Sequence, residues 1–207
     1  MLAQRPRTIP SEIRDFPEWH HGRERYAVWV LDCEKSLPVQ EKFKAAQAHL
    51  DDYLLKPYHR QPHITLFVCG FLVESPQYND DFTQRQVDAQ IQAIERSNLG
   101  SFEIEIGALN SFASAPFLEV RDPEEGIIKL RNTLAGGARE FRTTSYHPHL
   151  TVGLYADSFP SKEVLARMER FISEPVRWKV EKITLSTYQA KEVTGELSSQ
   201  YCAWLKD

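Results

Sequence analysis

The order of apolar and polar positions along the chain predicts alternating strands and helices. Residues 25–31 and 62–71 are apolar runs rich in branched and aromatic side chains, which is typical of buried strands. Apolar residues spaced three or four apart predict helices over 38–55 and 83–97. The same criteria predict a strand pair at 102–106 and 117–121, a helix from 123 toward 141, a strand at 148–155, a helix at 161–173 and a strand at 178–188.

The predicted elements fall into two halves that repeat one arrangement of strands and helices. No linker separates the halves, so we interpret residues 24–207 as a single domain built of two lobes. Residues 1–23 are polar and interrupted by Pro6, Pro10 and Pro17. These prolines disfavour a helix, and an extended N-terminal arm is therefore predicted.

The repeat between the halves extends to single residues. Pro62-His63-Ile64-Thr65-Leu66 and Pro148-His149-Leu150-Thr151-Val152 both read Pro, His, branched aliphatic, Thr, aliphatic. One His-x-Thr on a strand is a weak signal, because such a tripeptide often occurs by chance. Two copies in the same frame, at matching positions of matching lobes, favour a functional pair.

The alternation of side chains along a strand assigns these residues to faces. His63, Thr65 and Phe67 should share one face of their strand, and His149, Thr151 and Tyr155 one face of the other. The opposite faces are wholly aliphatic and are expected to lie under helices; they carry Ile64, Leu66, Val68, Leu150, Val152 and Leu154. The histidines and threonines would then line a groove.

Two imidazoles and two hydroxyls in one groove suit phosphoryl chemistry. One histidine can take a proton from the attacking oxygen while the other protonates the leaving oxygen, since the unperturbed pKa of histidine is about 6.5. The hydroxyls of Thr65 and Thr151 can donate hydrogen bonds to the non-bridging oxygens, whose charge grows in the transition state. This scheme needs neither a metal ion nor a cofactor, and none is predicted.

At these residues the chain resembles the two-histidine (2H) phosphoesterase superfamily, which includes 2′-5′ RNA ligase-like proteins and cyclic phosphodiesterases. The resemblance covers about residues 25 to 188, with the motifs at 63–65 and 149–151 and a middle strand pair near 107–120. It implies an α+β fold in which two pseudo-symmetric lobes place antiparallel sheets against a central groove, with helices outside. It also implies hydrolysis of 2′,3′-cyclic or related ribose phosphodiesters. Members that act on RNA ends often carry a basic residue soon after the second motif, whereas residues 152–155 read Val-Gly-Leu-Tyr.

Four further residues are candidates for substrate contacts. Phe67 and Tyr155 are predicted to share faces with the motif residues, where they would either contact a nucleobase or fill the groove floor. Tyr188 could stack on a base, and Lys182 could meet a phosphate or simply be exposed. The first strand carries Tyr26 and Trp29 on opposite faces, and the pattern does not decide which of them faces the groove.

A metal site at His147 and His149 is the alternative use of the second motif. The His-x-His spacing occurs in metal centres, but no third and fourth ligand stands in register with it. The separation of His59 and His63 by Pro62 argues against a helical ligand pair. We therefore predict no metal site.

Composition limits the substrate and the compartment. The chain has 207 residues and a formal net charge of −4, so it lacks the basic excess expected of a protein that grips long nucleic acid. The expected partner is a nucleotide or short RNA end that carries a cyclic phosphate. Cys33, Cys69 and Cys202 form no disulfide pattern, and the sequence shows neither a signal peptide nor a membrane-spanning apolar stretch. We expect a cytoplasmic monomer with no membrane association.

Three functions remain open at the level of sequence. The first is an enzyme that opens a 2′,3′-cyclic or related phosphodiester by two-histidine acid–base catalysis. The second is a 2′-5′ RNA ligase or RNA end-processing enzyme that uses the same histidines. The third is a nucleotide-binding module that keeps the groove without turnover.

Overall fold

A computed structural model describes residues 1–142 and 145–206. Its α-helices are α1 (Pro17–His20), α2 (Leu37–His49), α3 (Gln84–Arg96), α4 (Gly126–Gly137) and α5 (Ser161–Glu169), with single 3₁₀ turns at Leu2–Gln4 and Asp51–Tyr53. The strands are β1 (Arg25–Asp32), β2 (His63–Leu72), β3 (Asp81–Phe82), β4 (Phe102–Ser111), β5 (Pro116–Arg121), β6 (His149–Thr151), β7 (Val176–Val180), β8 (Lys182–Gln189) and β9 (Ser198–Trp204).

The strands form one sheet in two halves that meet at its centre. The order is β7-β4-β5-β6-β2-β1-β8-β9, and the short β3 pairs with β2. All pairings along this path are antiparallel. The halves are joined between β2 and β6, where Ile64 pairs with Leu150. The predicted α+β fold with pseudo-symmetric antiparallel halves is confirmed, and the two sheets are continuous because the motif strands pair with each other.

Helices α2, α3 and α4 cover one face of this sheet, and the groove lies on the other face. Apolar residues of α2, α3 and α4 pack with the covered face of the sheet in the main hydrophobic core, which contains Val39, Phe43, Val87, Leu130, Trp29, Ile64, Leu66, Leu150 and Val152. Trp29 also donates a hydrogen bond from Nε1 to Oε1 of Gln90 at 2.8 Å, which satisfies its buried N–H. A separate cluster on the opposite face contains Tyr26, Val28, Val30, Val68 and Phe71.

Two bulges in β2 reverse its side-chain alternation. Trp29 pairs with Phe67 and Val30 with Thr65, so Leu66 is an extra residue without a partner on β1. Cys69 is a second extra residue, and Gly70 beside it has a positive φ of 114°. Each bulge shifts the following residues to the other face. The next side chain after Thr65 on the groove face is therefore that of Val68 and not that of Phe67.

The predicted elements exist, with differences at their ends. Helix α3 agrees within a residue because Thr83 and Gln86 form a reciprocal capping box at its start. The strand predicted over 148–155 ends at Thr151, and the strand predicted over 178–188 is two strands separated at Glu181. Strand β9 was not predicted, since its sequence is polar and exposed along most of its length. The three cysteines are free, as expected.

The N-terminal arm packs against two regions, since Trp19 contacts Tyr26 and Phe71 in the first half of the sheet and residues 1–11 contact the segment after β6. Its backbone donates hydrogen bonds from Thr8 to Phe159 and from Ser11 to Tyr155, each at 2.9 Å. Its extended conformation is interrupted by α1, which the sequence did not predict. The division between the arm and a domain over 24–207 stays a prediction. None of the helices in the described residues is long and apolar enough to cross a membrane.

Candidate active site

The two His-x-Thr motifs lie side by side at the junction of the two halves. Because Ile64 pairs with Leu150, the antiparallel register places His63 across from Thr151 and Thr65 across from His149. The aliphatic residue between each His and Thr is fully buried in the core, and all four polar residues line one groove of about 600 Å³. The structure thus brings together the four residues singled out from the sequence; their chemical roles remain predictions.

The proline before each histidine helps to orient its ring. A proline restricts the preceding residue to extended backbone. The carbonyls of those preceding residues, Gln61 and His147, lie 2.8 and 2.7 Å from Nδ1 of His63 and His149. Since a carbonyl only accepts, Nδ1 is the protonated nitrogen in both rings. In the neutral rings Nε2 is therefore the basic atom, and this holds for both motifs.

Both histidines favour the neutral state in the free protein. Burial lowers the pKa of His63 to about 4, and the nearby Arg60 guanidinium and His149 also lower it. Burial is likewise the main reason that the pKa of His149 lies below its usual value, with smaller contributions from His147 and Arg142. The hydrogen bonds to the Gln61 and His147 carbonyls oppose these shifts.

Aromatic side chains surround His149. The Phe112 ring meets the imidazole edge to face, with centroids 4.9 Å apart and an interplanar angle of 83°. Phe117 lies 5.4 Å from the same imidazole at 63°. These contacts restrict rotation of the ring and exclude water from one side of it.

Side chains complete the hydrogen bonding of β2 where β6 no longer accompanies it. Tyr146 donates from its hydroxyl to the carbonyl of Thr65 at 2.9 Å, and Arg131 donates to the carbonyl of Leu66. Glu140 accepts from the backbone N–H of Val68 at 2.9 Å and pairs with Arg131 at 2.9 Å. We call Arg131, Glu140 and Tyr146 the β2 clamp. It holds the bulged backbone next to Thr65.

The groove also holds two arginines without an acidic partner in the described residues. Arg60, three residues before His63, donates from Nε to the carbonyl of Gly195 at 3.0 Å and lies over the Tyr188 ring at 4.1 Å. Arg142 lines the groove from the segment that precedes the second motif. The sequence analysis missed both arginines and the clamp. Proximity to the motifs was the only available signal, and it does not distinguish a groove side chain from an exposed one.

Comparison with known proteins decides the family. The sequence profile of the 2′-5′ RNA ligase superfamily matches residues 36–192, which include both motifs. The chain belongs to this superfamily. The predicted resemblance to two-histidine phosphoesterases is therefore confirmed at the level of the superfamily.

Solved structures of other proteins share the fold of this superfamily member. Escherichia coli LigT, in a structure complexed with 3′-AMP, aligns with a TM-score of 0.64 at 17% identity over 89% of this chain and 99% of LigT. The TT0787 protein of Thermus thermophilus aligns with a TM-score of 0.56 at 16% identity over 87% of this chain and 98% of that protein. At these identities the likeness shows the fold alone. No curated protein sequence matches the chain.

Two aromatic residues predicted to face the groove lie elsewhere. Phe67 is 1% exposed and belongs to the main core, because the bulge at Leu66 turns it to the helix side. Tyr155 is fully buried beyond the end of β6, where the alternation of the strand no longer applies. Its hydroxyl lies 2.5 Å from Oγ of Ser111, in a cluster with the N-terminal arm. Neither residue is available to a substrate in the groove.

Two residues of β8, Tyr188 and Lys182, were candidates for substrate contacts, and they lie in different places. Tyr188 lines the groove, as predicted, and Tyr26 beside it is the residue of β1 that faces the groove, while Trp29 faces the core. Lys182 is at the other end of β8, where its Nζ lies 5.8 Å from the Trp204 ring. Lys182 is not among the residues that line the groove, so the structure gives no support to a contact between Lys182 and the phosphate.

The His147-x-His149 alternative gains no additional ligands from the fold. Among residues 1–142 and 145–206, no group of three or more His, Cys, Asp or Glu is arranged to hold a metal ion. His147 instead supplies the carbonyl that fixes the tautomer of His149, and its ring lies 6.1 Å from that of Phe112.

Proposed function

We propose that this superfamily member hydrolyses a 2′,3′-cyclic or related ribose phosphodiester of a nucleotide or short RNA end. The register between β2 and β6 carries the proposal. It sets two histidines with basic Nε2 atoms diagonally across one groove, with a threonine hydroxyl beside each. A phosphorus atom between the histidines can be approached from one side and left from the other, as in-line displacement requires.

The differing environments of the histidines support a division of roles. His63 has its pKa lowered to about 4 and is neutral near neutral pH, so we assign it as the base that takes a proton from water at Nε2. The water oxygen forms the new bond to phosphorus as the bond to one ribose oxygen breaks. His149 delivers the proton from its Nε2 to that leaving oxygen. The negative charge of the bound phosphodiester favours the protonated form of His149 that this step needs.

The threonines stabilise the negative charge that develops on the non-bridging oxygens of the phosphate. Each hydroxyl is on the groove face next to the opposite histidine and can donate to a non-bridging oxygen. Structures of LigT complexed with 3′-AMP and with ATP support a nucleotide as the substrate class here.

A substrate panel with chelator present tests the proposal. Purified protein in excess EDTA is incubated with the four nucleoside 2′,3′-cyclic phosphates and with a short RNA that ends in a cyclic phosphate. We expect opening to a phosphomonoester, because side chains fill every role. Absence of hydrolysis in the whole panel, from folded protein, would contradict the proposal. Joining of RNA ends would instead favour the ligase alternative, and loss of activity in EDTA that Zn²⁺ or Mn²⁺ restores would favour the metal alternative at His147 and His149.

A further inference from the structure

The charges of the groove exceed what one phosphodiester requires. Within the described part of the chain, its lining contains four charged side chains besides the histidines, namely Arg60, Arg131, Glu140 and Arg142. Arg131 and Glu140 are paired at 2.9 Å and compensate each other. The remaining two guanidiniums carry two positive charges. A cyclic phosphodiester carries one negative charge. The threonine hydroxyls and a protonated histidine already stabilise that charge.

Arg60 is held in place, but not all N–H donors of its guanidinium form hydrogen bonds. Its Nε donates to the Gly195 carbonyl at 3.0 Å, and its guanidinium lies over the Tyr188 ring at 4.1 Å. Its Nη2 is buried and has no hydrogen-bond partner in the described residues. Leaving a buried donor on a charged group unpaired is costly, and natural proteins rarely do so without a ligand or water to satisfy it.

Arg142 reaches the same part of the groove from the other half. It has no ion pair or hydrogen bond within residues 1–142 and 145–206, and it lines the groove together with Arg60 and Tyr188. The charges of both arginines act on the Tyr188 hydroxyl, whose pKa is nevertheless raised because it is buried. Tyr188 therefore stays protonated and is a third donor next to the Arg60 guanidinium.

From this arrangement we infer that Arg60, Arg142 and Tyr188 form a second anion subsite, which binds a phosphate of the substrate other than the one that reacts. The inference rests on the proposed function, since it describes the part of the substrate that lies next to the cyclic phosphate. A planar guanidinium offers paired donors that match phosphate oxygens, and two of them suit a dianionic or bridging phosphate. The preferred substrate is thus a nucleotide with at least two phosphates.

A matched pair of substrates isolates the second phosphate. Adenosine 2′,3′-cyclic phosphate and its 5′-phosphorylated form differ only in that group, and a dinucleotide ending in a cyclic phosphate offers an internucleotide phosphate instead. We expect the wild-type kcat/KM to be about tenfold to a hundredfold higher for at least one of the two substrates with a second phosphate. The substrate with the larger gain in kcat/KM shows whether the subsite binds a terminal or an internucleotide phosphate. Equal values for all three substrates would overturn the inference.

Variants of the two arginines test whether these residues cause the preference for a second phosphate. Arg60→Gln and Arg142→Gln should each reduce the ratio of kcat/KM between the doubly and singly phosphorylated substrates by about tenfold, and Arg60→Lys should recover part of it. Arg177→Gln, at an exposed position of β7, is the matched control and should keep the ratio. Arg142 is itself exposed, so its replacement tests the subsite even if Arg60→Gln unfolds the protein. An unchanged ratio in folded Arg142→Gln protein would contradict the assignment.

Binding separates failure of the subsite from failure of the proposed reaction. Isothermal titration with adenosine 3′,5′-bisphosphate and with 3′-AMP needs no turnover. Wild-type protein should bind the bisphosphate about tenfold or more tightly than 3′-AMP, and Arg142→Gln should abolish that difference. If no cyclic phosphate is hydrolysed but the difference is present, the proposed function fails and the subsite stands. Equal affinities of wild-type protein for the two ligands would overturn the subsite.

Discussion

The two halves of the molecule carry the same motif but support it differently. His63 begins β2, a ten-residue strand that pairs along its length with β1. His149 begins β6, which has three residues and is held between β5 and β2. Arg60 lies on the His63 side, whereas Phe112 and Phe117 surround His149. The pKa of His63 is lowered to about 4, and burial also lowers the pKa of His149.

The comparison shows that two copies of one motif can lie in different environments. Both rings have the same tautomer because each donates to the carbonyl two residues before it. What differs is the set of neighbouring groups that act on the pKa of each ring. Groups whose surroundings separate their pKa values can divide acid and base roles between them.

Loss of either histidine should have the largest effect and tests whether the halves act as one unit. His63→Ala and His149→Ala should each lower kcat by about 10²-fold or more, because each removes one of the two proton transfers. The double variant should be little worse than either single one. Rates are measured on the best cyclic phosphate, with circular dichroism to verify folding. Near-normal turnover in either folded single variant would refute the shared mechanism.

The threonines test whether both halves contribute to the transition state. Thr65→Val and Thr151→Val keep the shape and remove the donor, so each should cost about 2 to 4 kcal/mol of transition-state stabilisation, read from kcat/KM. The melting temperature should change little. Thr133→Val on α4, where the hydroxyl donates to Lys129 at 3.0 Å outside the groove, is the control. A threonine variant that melts early but keeps its rate would make that threonine structural.

The β2 clamp tests how the His63 half keeps its bulge. Arg131→Met leaves the Glu140 carboxylate and the Leu66 carbonyl without their partner, which should lower the free energy of unfolding by about 2 to 3 kcal/mol. Arg121→Met removes a pair with Glu105 whose arginine is 75% exposed, and should cost well under 1 kcal/mol. Urea denaturation measures both. Equal losses would show that the clamp contributes no more than a surface ion pair.

Acid stability should reveal the lowered pKa values and is the smallest of these effects. Between about pH 6.5 and 4 the unfolded chain binds protons that folded His63 does not, so stability falls as the pH is lowered through this window. His63→Gln should reduce that loss by about 2 kcal/mol, while exposed His59→Gln should leave it unchanged. Urea denaturation at pH 7, 5.5 and 4.5 provides the measurement. A slope that is the same in His63→Gln and wild-type protein would contradict the burial of a neutral imidazole.

Much of the site could be predicted because strand periodicity is local. The motif residues His63, Thr65, His149 and Thr151 follow the period of two over only three positions, and the structure places all of them in one groove. The same rule failed for Phe67 and Tyr155 because it was extended past a bulge and past the end of a strand. Bulges depend on the partner strand, which periodicity does not specify.

The amino-acid sequence by itself determined the start of the two motif strands, the buried aliphatic residue between each His and Thr, and the proline that orients each histidine, since all of these depend on neighbouring residues. The aliphatic faces did not extend as predicted, because Val68 and Leu154 line the groove. Only the tertiary structure decided that Ile64 pairs with Leu150, that Arg60 and Arg142 reach one groove with Tyr188, and that the β2 clamp replaces a missing strand. Those contacts join residues far apart in the chain, and their geometry depends on how the whole sheet packs.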